Sequence, residues 1–317
     1  MDKFAKLANH VRAELSKVIV GQKEAVDQLL LVLVCGGHAL IEGVPGLGKT
    51  LAAKSLARVC GLGFQRVQCT PDLMPADITG TNVFRMADST FQLHRGAVFT
   101  DLLLVDEINR MPPRTQSALL ESMEERQVTI DGVRYPLPPY FTVLATQNPI
   151  EFEGTYPLPE AQLDRFLFKI RMAYPSHEEE EGILTRYETG FDARKWQQVP
   201  LTPAEPEWLA EARAEIEAVR IQPSLFSYMV SIVRRTRDWP AVGLGASPRA
   251  AVGMLYVARA MAAMDNRDYL LPDDVKAAAL PVLRHRIVLK PEAEIEGLST
   301  DAVVQQVAAS VEIPKLQ

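Results

Sequence analysis

Cysteine is scarce in this chain, with three residues, Cys35, Cys60 and Cys69, among 317. Their spacing fits neither a zinc site nor a disulfide framework, so they read as small buried apolar residues. A reducing cytoplasm is then the default compartment. Histidine is also sparse, five scattered residues with no ligand cluster. No long apolar run exists; the longest, Leu29 to Cys35, falls far short of a membrane span. The amino end, Met1-Asp2-Lys3-Phe4, lacks the cationic-then-apolar layout of a signal segment. Positive charge is not in excess. Thirty-four Lys and Arg against 40 Asp and Glu leave a net charge of −6, which disfavours a dedicated nucleic-acid binder. The length suggests two domains.

What is present begins with Gly43-Val44-Pro45-Gly46-Leu47-Gly48-Lys49-Thr50. This is G-x-x-x-x-G-K-[ST], the loop that cradles nucleotide phosphates. Glycines let successive backbone N–H groups converge on one anion. Lys49 adds a positive charge for the β- and γ-phosphates, and Thr50 offers a hydroxyl to Mg²⁺. The flanks suit the motif: His38 to Glu42 reads as a short apolar strand. Thr50 to Val59 reads as a helix carrying Leu51, Ala52, Ser55, Leu56 and Val59 on one face. Such a helix points its positive dipole end at the phosphates. No Asn-Lys-x-Asp segment occurs, which disfavours guanine as the base.

Upstream, Phe4 to Lys17 and Lys23 to Val34 read as helices around Val18-Ile19-Val20-Gly21-Gln22. Ile19 and Val20 suit core packing or an apolar seat for adenine equally well. Downstream, Phe64 to Gln68 reads as a second strand. Val83 to Met86 and Thr90 to Leu93 flank Ala87-Asp88-Ser89 as a hairpin. Leu102 to Val105 is a buried parallel strand ending in Asp106 and Glu107, at the carboxyl edge where open α/β sheets bind ligands. Asp106 is placed to hold Mg²⁺, and Glu107 to orient and deprotonate a water. Pro112-Pro113 opens a helix to about Glu125, and Gln127 to Tyr135 forms a hairpin turning at Asp131-Gly132. Phe141 to Asn148 is another strand, whose Asn148 is either an ordinary strand-end amide or a γ-phosphate contact. A short helix after Pro159 leads to Asp164-Arg165 and a strand from Phe166 to Ile170. Strands near residues 39, 65, 102, 142 and 167 with helices between them predict a five-stranded parallel sheet in a three-layer α/β domain.

After Tyr174-Pro175 the pattern turns helical. Ser176 to Glu179 and Thr202 to Glu205 read as capping boxes on either side of a linker near 190–200. Helices are expected near 203–219, 223–237, 248–264 and 272–285. The expected division is 1–175 and 176–317. Ser247-Pro248-Arg249 places a cation in a first helical turn, against the helix dipole. That arrangement suits an arginine aimed at a nucleotide phosphate, more than one tolerated through local pairing.

With these features in this order the chain resembles an AAA+ ATPase, and more closely the MoxR family. The likeness rests on residues 43–50, on Leu103 to Arg110, on Gln116 to Glu121, on Ala145 to Pro149 and on Glu151 to Phe166. Gly96-Ala97 stands where the family usually has Gly-Pro, outside the chemistry. The resemblance implies an α/β domain with a small all-α lid, and ATP and Mg²⁺ as ligands. It implies that nucleotide is held by Val20, Gly21 and residues 43–51, with Thr50 and Asp106 at the metal. It also implies that Asn148 serves as sensor 1, Arg249 as sensor 2 and Arg165 as an arginine finger reaching a neighbour's ATP. The hairpins at about 81–94 and 126–138 match the helix-2 insert and pre-sensor-1 hairpin. A hexameric homo-oligomer, a protein substrate and a partner with a von Willebrand factor A domain are further implications. Two other readings stand beside this chaperone-like one: a DNA translocase and a nucleotide-gated scaffold.

Overall fold

The computed structural model describes residues 2–87, 89–148 and 155–315. Asp88 of the first hairpin turn, and Pro149 and Glu151 to Gly154 of the family-like segments, lie outside the described residues. In chain order the helices are α1 (Lys3–Leu15), α2 (Lys23–Val34), α3 (Lys49–Val59), α4 (Pro75–Thr79), α5 (Pro113–Glu125), α6 (Glu160–Leu163) and α7 (His177–Glu188). They continue with α8 (Trp208–Glu217), α9 (Pro223–Arg237), α10 (Pro248–Met264), α11 (Pro272–Leu283), α12 (Pro291–Ile295) and α13 (Thr300–Ser310). The strands are β1 (Ala39–Glu42), β2 (Phe64–Gln68), β3 (Gly80–Arg85), β4 (Thr90–Arg95), β5 (Leu102–Asp106) and β6 (Gln127–Ile130). After them come β7 (Val133–Pro136), β8 (Thr142–Gln147), β9 (Phe168–Arg171), β10 (Val242–Leu244) and β11 (Val288–Leu289).

The chain folds as two compact units. One comprises residues 10–158 and 170–205. Its sheet runs β2-β5-β8-β1-β9, with β2–β5, β5–β8 and β8–β1 paired in parallel. The central strands β5 and β8 are buried along almost their whole length, with mostly apolar residues before their carboxyl ends, since both faces are covered. Asp106 and Glu107 therefore emerge at one edge, next to the end of β8. The hairpins β3–β4 and β6–β7 stand apart from this sheet. Asp131 and Gly132 both take positive φ, 50° and 81°, as a type I′ turn demands.

The other unit comprises residues 1–9, 159–169 and 206–317. Helices α9, α10, α11 and α13 bury Ile232, Met254, Val257, Val282 and Val307 against one another. A two-stranded pair, β10–β11, interrupts what the sequence pattern reads as helix alone. The units also divide the chain differently from a cut at 175/176, because α7 and residues up to 205 cluster with the sheet. The expected helix start at 203 is absent. Thr202 N–H donates to Glu14 Oε2 (2.8 Å) and Ala204 N–H to Val59 O (2.6 Å). These long-range bonds hold the segment outside a helix, and α8 starts at Trp208. The cap at Ser176 forms as expected, its hydroxyl accepting from Glu179 N–H.

Candidate active site

The phosphate loop joins β1 to α3 and bends through Gly46 (φ 90°) and Gly48 (φ 79°). Both angles lie where residues with a Cβ are disfavoured. The loop borders a cavity of about 670 Å³. The loop from Pro45 to Leu51 lines it, together with Asp106, Glu107, Thr146 and Asn148. Lys49 Nζ donates to Gly43 O at 2.5 Å across the base of the loop. Gly43 itself, Val44 and Gly21 are not among the lining residues.

Two carboxylates dominate the charged wall. Asp106 is 8% exposed. Its Oδ1 accepts from Thr146 Oγ1 (2.7 Å), and its Oδ2 from Arg66 Nε (2.8 Å) and Thr50 Oγ1 (3.4 Å). Glu107 sits at φ 59°, ψ 53°, a left-handed conformation that costs a glutamate about 1–3 kcal/mol. Surrounding bonds impose it: Glu107 N–H donates to Thr146 Oγ1 (2.9 Å), and Gln68 Nε2 donates to Glu107 Oε2 (3.1 Å). Arg110 adds an ion pair at 3.1 Å. Thr146 thus orients both acids through one hydroxyl. Neighbouring Cys69 is an inert thiol, since burial, with the Asp106 and Glu107 charges, pushes it up to about 12.

The opposite wall is mainly apolar, with Glu180 and Arg186 of α7 also lining it. Val18, Ile19 and Val20 face the cavity, as do Ile183, Tyr187 and Phe191. Tyr187 and Phe191 meet edge to face at 5.6 Å. Gly21 (φ 67°) and Gln22 (φ 55°) make the tight turn that ends the 18–20 segment, and a Cβ on Gly21 would strike Glu179 Oε1. A flat base fits such a wall, and a glycine-bent loop at the start of α3, with Lys49, fits phosphates. The Thr50 hydroxyl beside a carboxylate is an oxygen donor set of the kind Mg²⁺ takes, usually with water completing it. The residues present therefore fit a Mg²⁺–nucleotide.

Arg66, Gln68, Thr146, Tyr187 and Phe191 are site residues that motif reading does not reach. The one signal for the first two is polar residues two apart on β2, which puts them on one face beside β5. Arg165 and Arg249 belong to the second unit. Arg165 follows α6, and exposed Arg249 opens α10, whose Ser247 cap accepts from Arg249 N–H at 3.2 Å.

Known proteins match this arrangement. Residues 38–168 fit the model of the ATPase family associated with various cellular activities (AAA), and residues 234–307 the AAA lid domain. Chaperone MoxR1 of Mycobacterium tuberculosis is 44% identical over 96% of this chain and 81% of its own length. The YeaC protein of Bacillus subtilis is 43% identical over 95% and 92%. A solved crystal structure from Cytophaga hutchinsonii, of a protein to which ATPase activity is ascribed without having been established, superposes with a TM-score of 0.88 at 43% identity, covering 99% and 98%. The chain belongs to the MoxR family of AAA ATPases.

Proposed function

We propose that this protein hydrolyses Mg²⁺–ATP in a homo-oligomeric ring, hexameric as the family resemblance implies, to drive chaperone-like remodelling of other proteins. The observation that carries the reading is the convergence of Thr50, Asp106, Glu107 and Asn148 on the phosphate loop in one cavity. Val20 and Gly21 would border the adenine, and the loop from Gly43 to Leu51 would hold the phosphates. Thr50 and Asp106 would hold Mg²⁺, which when bound neutralises charge between the phosphates. Glu107 accepts a proton from the attacking water, and Asn148 orients that water or the γ-phosphate. Lys49 leaves Gly43 O for the phosphates. Arg165 reaches the transition state from a neighbouring protomer and Arg249 adds its charge there, in cis or in trans, a finger being worth about 10³–10⁵ in rate.

A protein target is favoured over DNA by the β3–β4 hairpin. It exposes Val83, Phe84, Met86 and Phe91, with Phe84 and Phe91 in ring contact at 5.2 Å. The β6–β7 turn carries Asp131 rather than a cation, so a phosphate backbone has little to meet there. A partner with a von Willebrand factor A domain and a cytoplasmic location complete the proposal. No helix among the described residues is long and apolar enough to cross a membrane. Glu107→Gln tests the hydrolytic reading: ATP binding should persist while turnover falls about 10²-fold or more. Unaltered turnover would remove Glu107 from the mechanism.

A further inference from the structure

We propose that Asp164 and Arg286 are positioning residues that fix Arg165 and Arg249 as one two-cation element delivered together to a single nucleotide. The inference rests on the hydrolytic reading above and concerns only the second unit. The Arg286 side chain is 2% exposed. Its Nε donates to Asp164 Oδ1 (2.8 Å). Its Nη2 donates to Asp164 O (3.1 Å) and Phe166 O (2.6 Å), and its Nη1 to Leu167 O (3.0 Å) and to Val282 O. His285 Nε2 also meets Phe166 O, at 2.8 Å. One planar guanidinium therefore grips the carbonyls on both sides of residue 165. A lysine, with a single rotatable point charge, has no such fork.

The second Asp164 oxygen works elsewhere. Oδ2 accepts from Ser247 Oγ at 2.8 Å. Ser247 caps α10, and Arg249 is the second residue of that helix. A single carboxylate thus ties the segment carrying Arg165 to the helix start carrying Arg249. Stability alone gives a weak reason for this design. Burying an ion pair is often no better than apolar packing of the same volume, and a cation in a first helical turn opposes the dipole. Burial pulls Arg286 below its ordinary basicity, the Asp164 carboxylate acts to hold it up, and the Arg249 charge adds to the downward pull.

The test is Asp164→Asn in the full-length protein, which keeps the side-chain volume and removes the charge. Nucleotide binding by the variant should match wild type, because the phosphate loop lies in the other unit. Turnover should fall about ten-fold or more with KM little changed, as expected when charge is lost from the transition state alone. The decisive readout is mixing. Glu107→Gln protomers lack the water-activating acid but carry an intact cation element, so an equal mixture with Asp164→Asn should regain turnover. Random head-to-tail assembly places an intact donor beside an intact cradle at about a quarter of the interfaces. Arg165→Ala mixed with Glu107→Gln is the reference. If the reference regains turnover and the Asp164→Asn mixture stays silent, the positioning role is wrong while the hydrolytic reading stands. If neither mixture regains turnover, the donated-cation reading fails and this inference falls with it. Full turnover of Asp164→Asn alone overturns the inference directly. Should Asp164→Asn fold poorly, Ser247→Ala leaves the Arg286 pair intact. It should still lower turnover by about three-fold or more, the same mixture should rescue it, and unchanged turnover overturns the link to Arg249.

Discussion

The two units hold their key aspartates in opposite ways. In the sheet unit, Asp106 is paired with Arg66, whose side chain is 43% exposed. In the helical unit, Asp164 is paired with Arg286, whose side chain is 2% exposed. An ion pair open to water contributes about 0–1 kcal/mol and exchanges readily. A buried one costs about 3–5 kcal/mol to break, because the survivor stays desolvated. The first arrangement suits a carboxylate that must change partners when a ligand arrives. The second suits one that must never move.

The sharpest way to break this contrast is Arg286→Leu. It leaves the Asp164 carboxylate and the carbonyls of Asp164, Phe166 and Leu167 without their shared donor. Unfolding free energy should drop by about 3 kcal/mol, measured by denaturant titration. A loss under about 1 kcal/mol would put this pair in the same class as the Arg66 pair and erase the distinction.

Much of the sheet unit was readable in the sequence because its chemistry is local. The phosphate loop is contiguous, and a wholly apolar strand ending in Asp106-Glu107 announces a buried parallel strand with acids at its edge. The helical unit hid more, because its organisation is long-range. The grip of Arg286 on residues 164–167 spans about 120 positions and has no period. The Thr202 box failed for the same reason, its N–H being taken by Glu14 from 188 residues away. Strands β10 and β11 are three and two residues long, too short to show alternation. On β2 the alternation of Arg66 and Gln68 was visible as a strand, but its purpose appears only once Asp106 lies alongside in register.

Each unit also buries a neutral histidine, and acid should strike both. His38 accepts Val143 N–H at Nδ1 (2.9 Å) and donates from Nε2 to Met123 O (3.1 Å). Burial, with the Arg126 charge beside it, drops its pKa to about 3. His285, against Arg286, is pulled well below the ordinary value by the same cause. The unfolded chain therefore binds these protons first. The stability from keeping each ring neutral is complete above about pH 6.5 and declines as pH falls toward the folded value. For His38 the loss is roughly 3 kcal/mol by pH 4.5. In His38→Gln, where the amide can replace the Nε2 donor, the acid limb of a stability-against-pH curve should flatten. A limb as steep as wild type would show that this ring titrates normally.

The smallest expected effect tests the exchangeable pair itself. Arg66→Met keeps an unbranched chain on β2 and removes the cation from Asp106 Oδ2. Stability should change by less than about 1 kcal/mol, since Arg66 is half-exposed and the buried Asp106 keeps Thr146 and Thr50 as donors. The Mg²⁺ dependence of nucleotide binding should respond in a definite direction. A metal held by Thr50 and Asp106, as proposed above, would compete with Arg66 for the same oxygen, the one within 3.4 Å of Thr50 Oγ1. Freeing that oxygen should lower the half-saturating Mg²⁺ concentration by about two- to five-fold, the equivalent of an ion pair worth up to about 1 kcal/mol. The measurement is a Mg²⁺ titration of fluorescent-nucleotide binding, with turnover left aside. A raised half-saturation point would mean that Arg66 assists the loaded site, and the contrast between a yielding pair and a fixed one would then rest on Arg286 alone.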